Sequence, residues 1–329
     1  MKILAHAAGA LLAFACAAGP ALAQETIVVN GFGGAADLPV WVAQQKGFFA
    51  KEGLRVDYQR TRGSVAQFQD IMAGKFQIAA TLLDNVVGYA ERQGGVRLEP
   101  ASDVFAFMGS HEGVNSLVTA SAVRDYAGIK GGKVAVDAVA TGYAFVLFAM
   151  LDKHGLALGR DYQALEVGGP PGRLAALKDG RAVAALMAPP ADLAAKEQGY
   201  NLPTDTVKEI GPYQAGVYAA RRAWADAHPQ ELVRFTRAMI AAHDYIFADK
   251  AGAIEVLRRH FPDMSPRTAE SIYAVSIAPG GFQRGGLPSL DGVRTALDLR
   301  ARYAPVKAAL GAPAKYLDLS YYQRALRDD

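Results

Sequence analysis

Between residues 25 and 187 the chain twice runs through β-branched stretches alternating with helical stretches that end at glycine. This cadence constrains the fold more than any other feature. A strand, a helix and a second strand close most readily into a parallel sheet with helices packed on it. In the first round, Glu25–Phe32 (ETIVVNGF) reads as a strand stopped by Gly33-Gly34. Leu38–Lys51 reads as a helix with Pro39 in its first turn, where a missing N–H costs nothing. Leu54–Gln59 is the second strand. Val65–Ala73 is a helix capped by Ser64 and stopped by Gly74, Phe76–Thr81 the third strand, and a further helix starts at Asp84 or Asn85 and runs to Arg92. The second round has strands at Lys133–Asp137, Tyr162–Val167 and Val183–Met187. Its helices are Gly142–His154, capped by Thr141, and Arg173–Lys178, after the Gly168–Gly172 turn.

The remainder is helical. Leu232, Phe235, Met239, Ala242 and Ile246 recur at a three-to-four spacing that marks one buried face. Ser265-Pro266 opens another helix, and Ser289 caps a last long one over Leu290–Tyr303. Strand-like crossings near Ser116–Thr119 and Gly216–Ala219 suggest a chain that passes between two halves and returns. The expected architecture is α/β with two lobes, each a mainly parallel sheet flanked by helices. Lobe 1 takes residues 24–115 and 216–329, and lobe 2 takes 116–215. The cleft between them, where strand ends and helix starts converge, is the expected ligand site.

Residues 1–23 read as an address. Met1-Lys2 is followed by apolar Ile3–Ala18, a Gly19-Pro20 break and the small-residue site Ala21-Leu22-Ala23. That is the pattern of a cleaved secretory signal peptide, which sends the rest to the periplasm. A lipid anchor at Cys16 is the alternative, although Ala13-Phe14-Ala15 lacks the usual Leu. Cys16 is the only cysteine, which excludes a disulfide framework and, after cleavage, any thiolate chemistry. A 51% hydrophobic chain with 35 basic and 32 acidic residues is neither disordered nor marked for nucleic acid.

The chemistry-bearing residues lie at turns. Gly31-Phe32-Gly33-Gly34-Ala35-Ala36 matches G-x-G-x-x-A, with Asp57 placed 21 residues beyond Ala36, and so imitates a dinucleotide fingerprint. Any strand–turn–helix built from small residues gives this match, so the segment reads as a ligand-facing turn. Loops at 33–38, 62–65, 83–86, 138–143 and 168–173 feed helix starts, whose unpaired N–H groups suit anions. The candidate ligand contacts are Phe32, Gly33, Gly34, Arg62, Ser64, Asp84, Asn85, Thr141, Gly142, Tyr143, Gly169, Arg173 and Tyr213. Ser64, Asn85 and Thr141 can either cap their helices or donate to a guest. Arg62 and Arg173 have the fork geometry for a carboxylate or sulfonate. Aromatics at turns (Phe32, Phe107, Tyr143, Tyr213, Phe282) favour an organic guest over a bare ion. Catalytic sets are poor: the histidines show no H-x-x-x-H spacing, and neither G-x-S-x-G nor a helix-start S-x-x-K occurs. No catalytic residue, metal site or cofactor is expected. His111-Glu112 near a crossing is the one pair to check, and a plain polar loop is its ordinary reading.

Four segments carry a resemblance. LPVWVAQQKGFFAKEGLRV at 38–56 resembles the opening helix, glycine and strand of the sulfonate/nitrate/taurine and thiamine-pyrimidine family of periplasmic solute-binding proteins. QDIMAGKFQIAA at 69–80 is similar to a later segment of that family, with Gln77 where Asp is common. YAGIKGGKVAV at 126–136 and LAALKDGRAVAA at 174–185 match its entry to the second lobe and a segment beyond it, the latter with Ala184 in place of Asp. The resemblance covers most of 27–300. It implies a type II periplasmic-binding-protein fold, a small-molecule ligand, no nucleic acid, a monomer, and delivery to the permease and ATPase of an ABC importer. Carried onto this sequence, it points to Ser64, Asp84, Asn85, Thr141 and Gly142. One branch makes a thiamine pyrimidine with His and a Cys cluster, which the cleaved chain lacks. A ligand-sensing module for a membrane receptor and an exported nucleotide-dependent enzyme are the alternatives. A small organic acid or sulfonate, aromatic or not, is the expected ligand class, with a zwitterion or neutral heterocycle left open.

Overall fold

The computed structural model describes residues 26–307 and 309–327, so the expected leader and Cys16 lie outside the described residues. Within them, ten strands follow in order: β1 (Thr26–Gly31), β2 (Arg55–Arg60), β3 (Ile78–Leu82), β4 (Val104–His111), β5 (Ser116–Thr119), β6 (Lys133–Val136), β7 (Gln163–Glu166), β8 (Ala184–Met187), β9 (Asn201–Asp205) and β10 (Gly216–Arg221). They form two five-stranded sheets, β2-β1-β3-β10-β4 and β7-β6-β8-β5-β9. Each has a parallel triad, β2-β1-β3 or β7-β6-β8, extended by an antiparallel strand (β10 or β5) and then by one (β4 or β9) that pairs antiparallel with it and so runs with the triad. The triads are the strands whose turns the sequence announces. The added strands include the two crossings, β5 and β10. They also include β4 and β9, which the strand signals missed. β4 (VFAFMGSH) is buried on both faces almost to its end, so it lacks the in–out alternation of a half-exposed strand. β9 (NLPTD) holds a proline, tolerated because it lies at a sheet edge.

The helices are α1 (Leu38–Gln45), α2 (Phe48–Lys51), α3 (Ser64–Met72), α4 (Leu83–Ala90), α5 (Gly142–Lys153), α6 (Pro170–Lys178), α7 (Ala191–Glu197), α8 (Thr206–Ile210), α9 (Arg222–Ala227), α10 (Pro229–Ala248), α11 (Lys250–His260), α12 (Pro266–Ile277), α13 (Leu290–Tyr303) and α14 (Ser320–Ala325). The stretch 38–51 is two helices, because Gly47 takes φ 74°, a left-handed turn that stops α1. Ser265 and Ser289 cap as expected, accepting from the N–H of Thr268 and Gly292 at 3.1 Å. Ser64 does not cap, since Gly63 holds that position and frees the Ser64 side chain. Among the described residues, no helix is long and apolar enough to cross a membrane.

The tail docks in two places. The buried face of α10 (Leu232, Phe235, Met239, Ala242, Ile246) packs against α1 and α14 beside the first sheet. Helix α13 instead packs on α4 and α5. One apolar cluster therefore runs from Phe68, Val87 and Tyr89 beside the first sheet to Phe145, Leu151 and Val134 beside the second. Arg300 of α13 is fully buried in this seam. It donates to both oxygens of Asp84 in α4 (2.7 and 2.6 Å) and to the Ala140 carbonyl before α5 (2.9 Å). The two sheets are joined along this seam, and elsewhere a cleft separates them.

Candidate functional site

The cleft holds a cavity of about 170 Å³. One wall comes from the turn after β1 (Phe32, Gly34, Asp37), the end of β3 (Thr81, Leu82), Asn85 of α4, and the end of β4 (Ser110, His111). The other comes from Asp137 after β6, Thr141 and Tyr143 at the start of α5, Gly169 and Arg173 around the start of α6, and Pro189 after β8. Phe282, Tyr218 and Val217 add apolar surface. Both parallel triads thus direct their C-terminal ends into one space, which is where open α/β sheets hold ligands.

Arg173 dominates the electrostatics. Its side chain is 7% exposed, its Nε has no hydrogen-bond partner, and it makes no ion pair among the described residues. Burial lowers the pKa of its guanidinium, against the attraction of Asp137, yet arginine stays charged at any physiological pH. The acid that could neutralise it is engaged elsewhere: Asp137 Oδ2 accepts the Ser64 hydroxyl at 2.7 Å and the Ser64 N–H at 3.3 Å, both from the facing lobe. A desolvated cation without a carboxylate partner is costly, and in a ligand cavity it is a seat for an anion.

Asp37 explains the glycine turn. The Gly33 N–H and the Tyr58 hydroxyl both donate to its Oδ2 at 2.7 Å. Gly33 sits at φ 73°, and a Cβ on Gly31 would come within 2.5 Å of Asp37 Oδ1. The turn's small residues therefore make room for a carboxyl of this chain, and the N–H that would meet a pyrophosphate is already bonded. Burial pushes the Asp37 carboxyl up to about 6 despite these donors.

On the same wall, burial pushes the His111 imidazole down to about 4. His243 is also buried; its Nδ1 lies 2.9 Å from the Gln283 carbonyl, its Nε2 has no partner, and burial pushes it down to about 3. Both rings meet Phe282 edge to face. Among the described residues, no three His, Cys, Asp or Glu side chains are grouped to hold a metal. The arrangement can bind an anionic group at Arg173 and pack a planar body on Phe32, Phe282, Tyr143 and Tyr218.

Of the residues singled out from sequence, Phe32, Gly34, Asn85, Thr141, Tyr143, Gly169 and Arg173 line the cavity. Gly33 sits behind it, bonded to Asp37. Arg62 is exposed at a second opening, with Arg60 and the 167–172 loop. Ser64 is buried on Asp137 and Asp84 on Arg300, while Gly142 packs against Asp84 and the Tyr213 hydroxyl, so these four are not in the wall. Thr141 and Asn85 spend their side chains on Ala138 O (2.8 Å) and Thr81 Oγ1 (3.3 Å). Sequence reasoning missed Asp37, Thr81, Ser110, Asn115 and Asp137. The last was within reach, because it directly follows the first parallel strand of its lobe.

Residues 36–253 match the family described as NMT1/THI5 like. The chain belongs to the NMT1/THI5-like family. Its fold is similar to that of the ligand-binding component of an ABC-type import system from Staphylococcus aureus (TM-score 0.75, 14% identity, 93% of this chain and 100% of that one). It is also similar to the alkanesulfonate-binding protein SsuA from Xanthomonas axonopodis pv. citri bound to MOPS (TM-score 0.72, 17% identity, 90% and 99%). In sequence it is 26% identical over 235 residues to a 4-amino-5-hydroxymethyl-2-methylpyrimidine phosphate synthase from Uromyces fabae. That alignment covers 66% of this chain and 64% of the length of the synthase. At these identities the structural likeness establishes the two-lobed binding-protein fold of this NMT1/THI5-like chain.

Proposed function

We propose that this chain is the exported ligand-binding component of an ABC importer, which captures a small organic acid between its lobes and presents the closed form to a permease. The observation that carries this reading is Arg173: a buried cation with no carboxylate partner, in a cavity walled by aromatic and small polar side chains. A carboxylate or sulfonate supplies the missing charge, and the aromatic walls take its body. The lobes are residues 24–115 with 216–329, and 116–215. Residues 1–23 are removed on export to the periplasm, and the protein works as a monomer. The family membership and the ABC-import relative of the same fold support this role.

The test is a thermal-shift panel of carboxylates, sulfonates, nitrate, pyrimidines and amines, followed by small-angle scattering. A tight acid raises the midpoint, since a ligand at a thousand times its Kd adds about 4 kcal/mol to the folded state, and it reduces the radius of gyration. A panel without any shift sinks the reading. The fungal relative makes synthesis of a pyrimidine phosphate the second reading. Mass spectrometry of the bound ligand separates the two, because a binding component returns it unchanged.

A further inference from the structure

We propose that Ser64 and Asp137 control the availability of Arg173: lobe closure hands Asp137 from Arg173 to Ser64, and the ligand's anionic group takes the place that Asp137 leaves. This rests on the cleft being the ligand site. Asp137 and Arg173 belong to one rigid unit. Asp137 directly follows β6, its carbonyl accepts the Gly168 N–H at 3.1 Å, and β6 pairs in register with β7, which leads through that loop into α6 and Arg173. Their backbones therefore keep their distance when the lobes move, and the exchange is a turn of the Asp137 side chain alone.

Ser64 belongs to the other lobe, as the first residue of α3. Its two donors reach Asp137 only when the lobes are together, as they are here. Pulling them apart strips Asp137 of both protein donors while Arg173 still lacks a partner. Two opposite charges in one apolar wall then satisfy each other. The open form is self-neutralised and the closed form is receptive. Ser64 and Asp137 are positioning residues here, acting on the ligand through Arg173.

The experiment uses the full exported chain and the tightest acid of the carboxylate and sulfonate panel. Affinity is read by calorimetry and the radius of gyration by scattering. Ser64→Ala is expected to weaken the acid fivefold or more and to enlarge the ligand-free protein, while Ser64→Thr, which keeps the hydroxyl, restores most of the affinity. Asp137→Asn is expected to tighten binding, because the open form loses its internal competitor. In the Asp137→Asn background, Ser64→Ala is expected to have little further effect. The proposal is overturned if both single variants weaken binding, as for an ordinary structural pair. It is equally overturned if the Ser64→Ala loss persists undiminished beside Asp137→Asn, since simple repulsion between Asp137 and the anion gives that result. If no acid binds the wild-type protein, the ligand-site reading itself fails. Acids that bind with unaltered Ser64 and Asp137 variants overturn only this inference.

Discussion

Replacing Arg173 with Met should leave the ligand-free protein about as stable and unable to hold its ligand. The side chain is 7% exposed, Nε donates to nothing, and no ion pair offsets its desolvation. An unsatisfied buried polar group costs about 1–3 kcal/mol, more when charged, and the attraction of Asp137 returns part of this. A Met of similar length fills the space without the charge. In the open, ligand-free form the change also takes from Asp137 the cation it pairs with, which offsets that gain, so the midpoint should move little. The same change removes the charge-assisted contact to the anion. Losing one partner of a buried charge pair costs about 2–5 kcal/mol, so affinity should fall between about thirtyfold and a few thousandfold. Differential scanning fluorimetry with and without the acid gives both numbers on one instrument. An acid-induced shift of unchanged size would refute the argument, because the residue would then be an ordinary structural arginine.

Three further outcomes are expected. Arg300→Met strands Asp84, 1% exposed, in the seam and takes a donor from the Ala140 carbonyl, so urea denaturation should show a loss of about 3–5 kcal/mol. The double variant with Asp84→Leu should recover much of this, and no recovery would mean that the seam depends on more than the pair. Gly142→Ala puts a methyl on the Tyr213 hydroxyl and 2.7 Å from Asp84 Cβ, which Arg300 holds in place. Overpacking of this kind costs about 1–3 kcal/mol, read as a lower urea midpoint. Acid should destabilise the protein through its buried imidazoles. With His111 pushed down to about 4 and His243 to about 3, the unfolded chain binds more protons below pH 6.5, so their contribution is present above 6.5 and lost as pH falls toward 4 and then 3. Asp37, pushed up to about 6, works in the opposite sense: its contribution is full below about 3.8 and lost as pH rises through 6. Urea midpoints between pH 7 and 4 should fall, and should fall less in His243→Gln; midpoints that rise toward pH 4, as Asp37 alone gives, would show that neither imidazole is held neutral.

The two parallel triads, their glycine turns and the caps at Ser265 and Ser289 were legible in the sequence, because period, capping and left-handed turns depend on a handful of consecutive residues. The doubled pattern was enough for two α/β sheets. β4 and β9 were not legible: a strand covered on both faces, or edged by proline, has no local signature, and without β4 the positions of Ser110 and His111 in the cavity could not be seen. Arg62 and Arg173 look alike in sequence, each beside a helix start after a glycine-containing turn. Only the tertiary structure separates them, leaving Arg62 in solvent and burying Arg173 in the cavity without a partner. Asp84 is taken out of the cleft by Arg300, 216 residues further along the chain. Burial and charge pairing are set by what folds against a residue, and those neighbours come from the far end of the sequence.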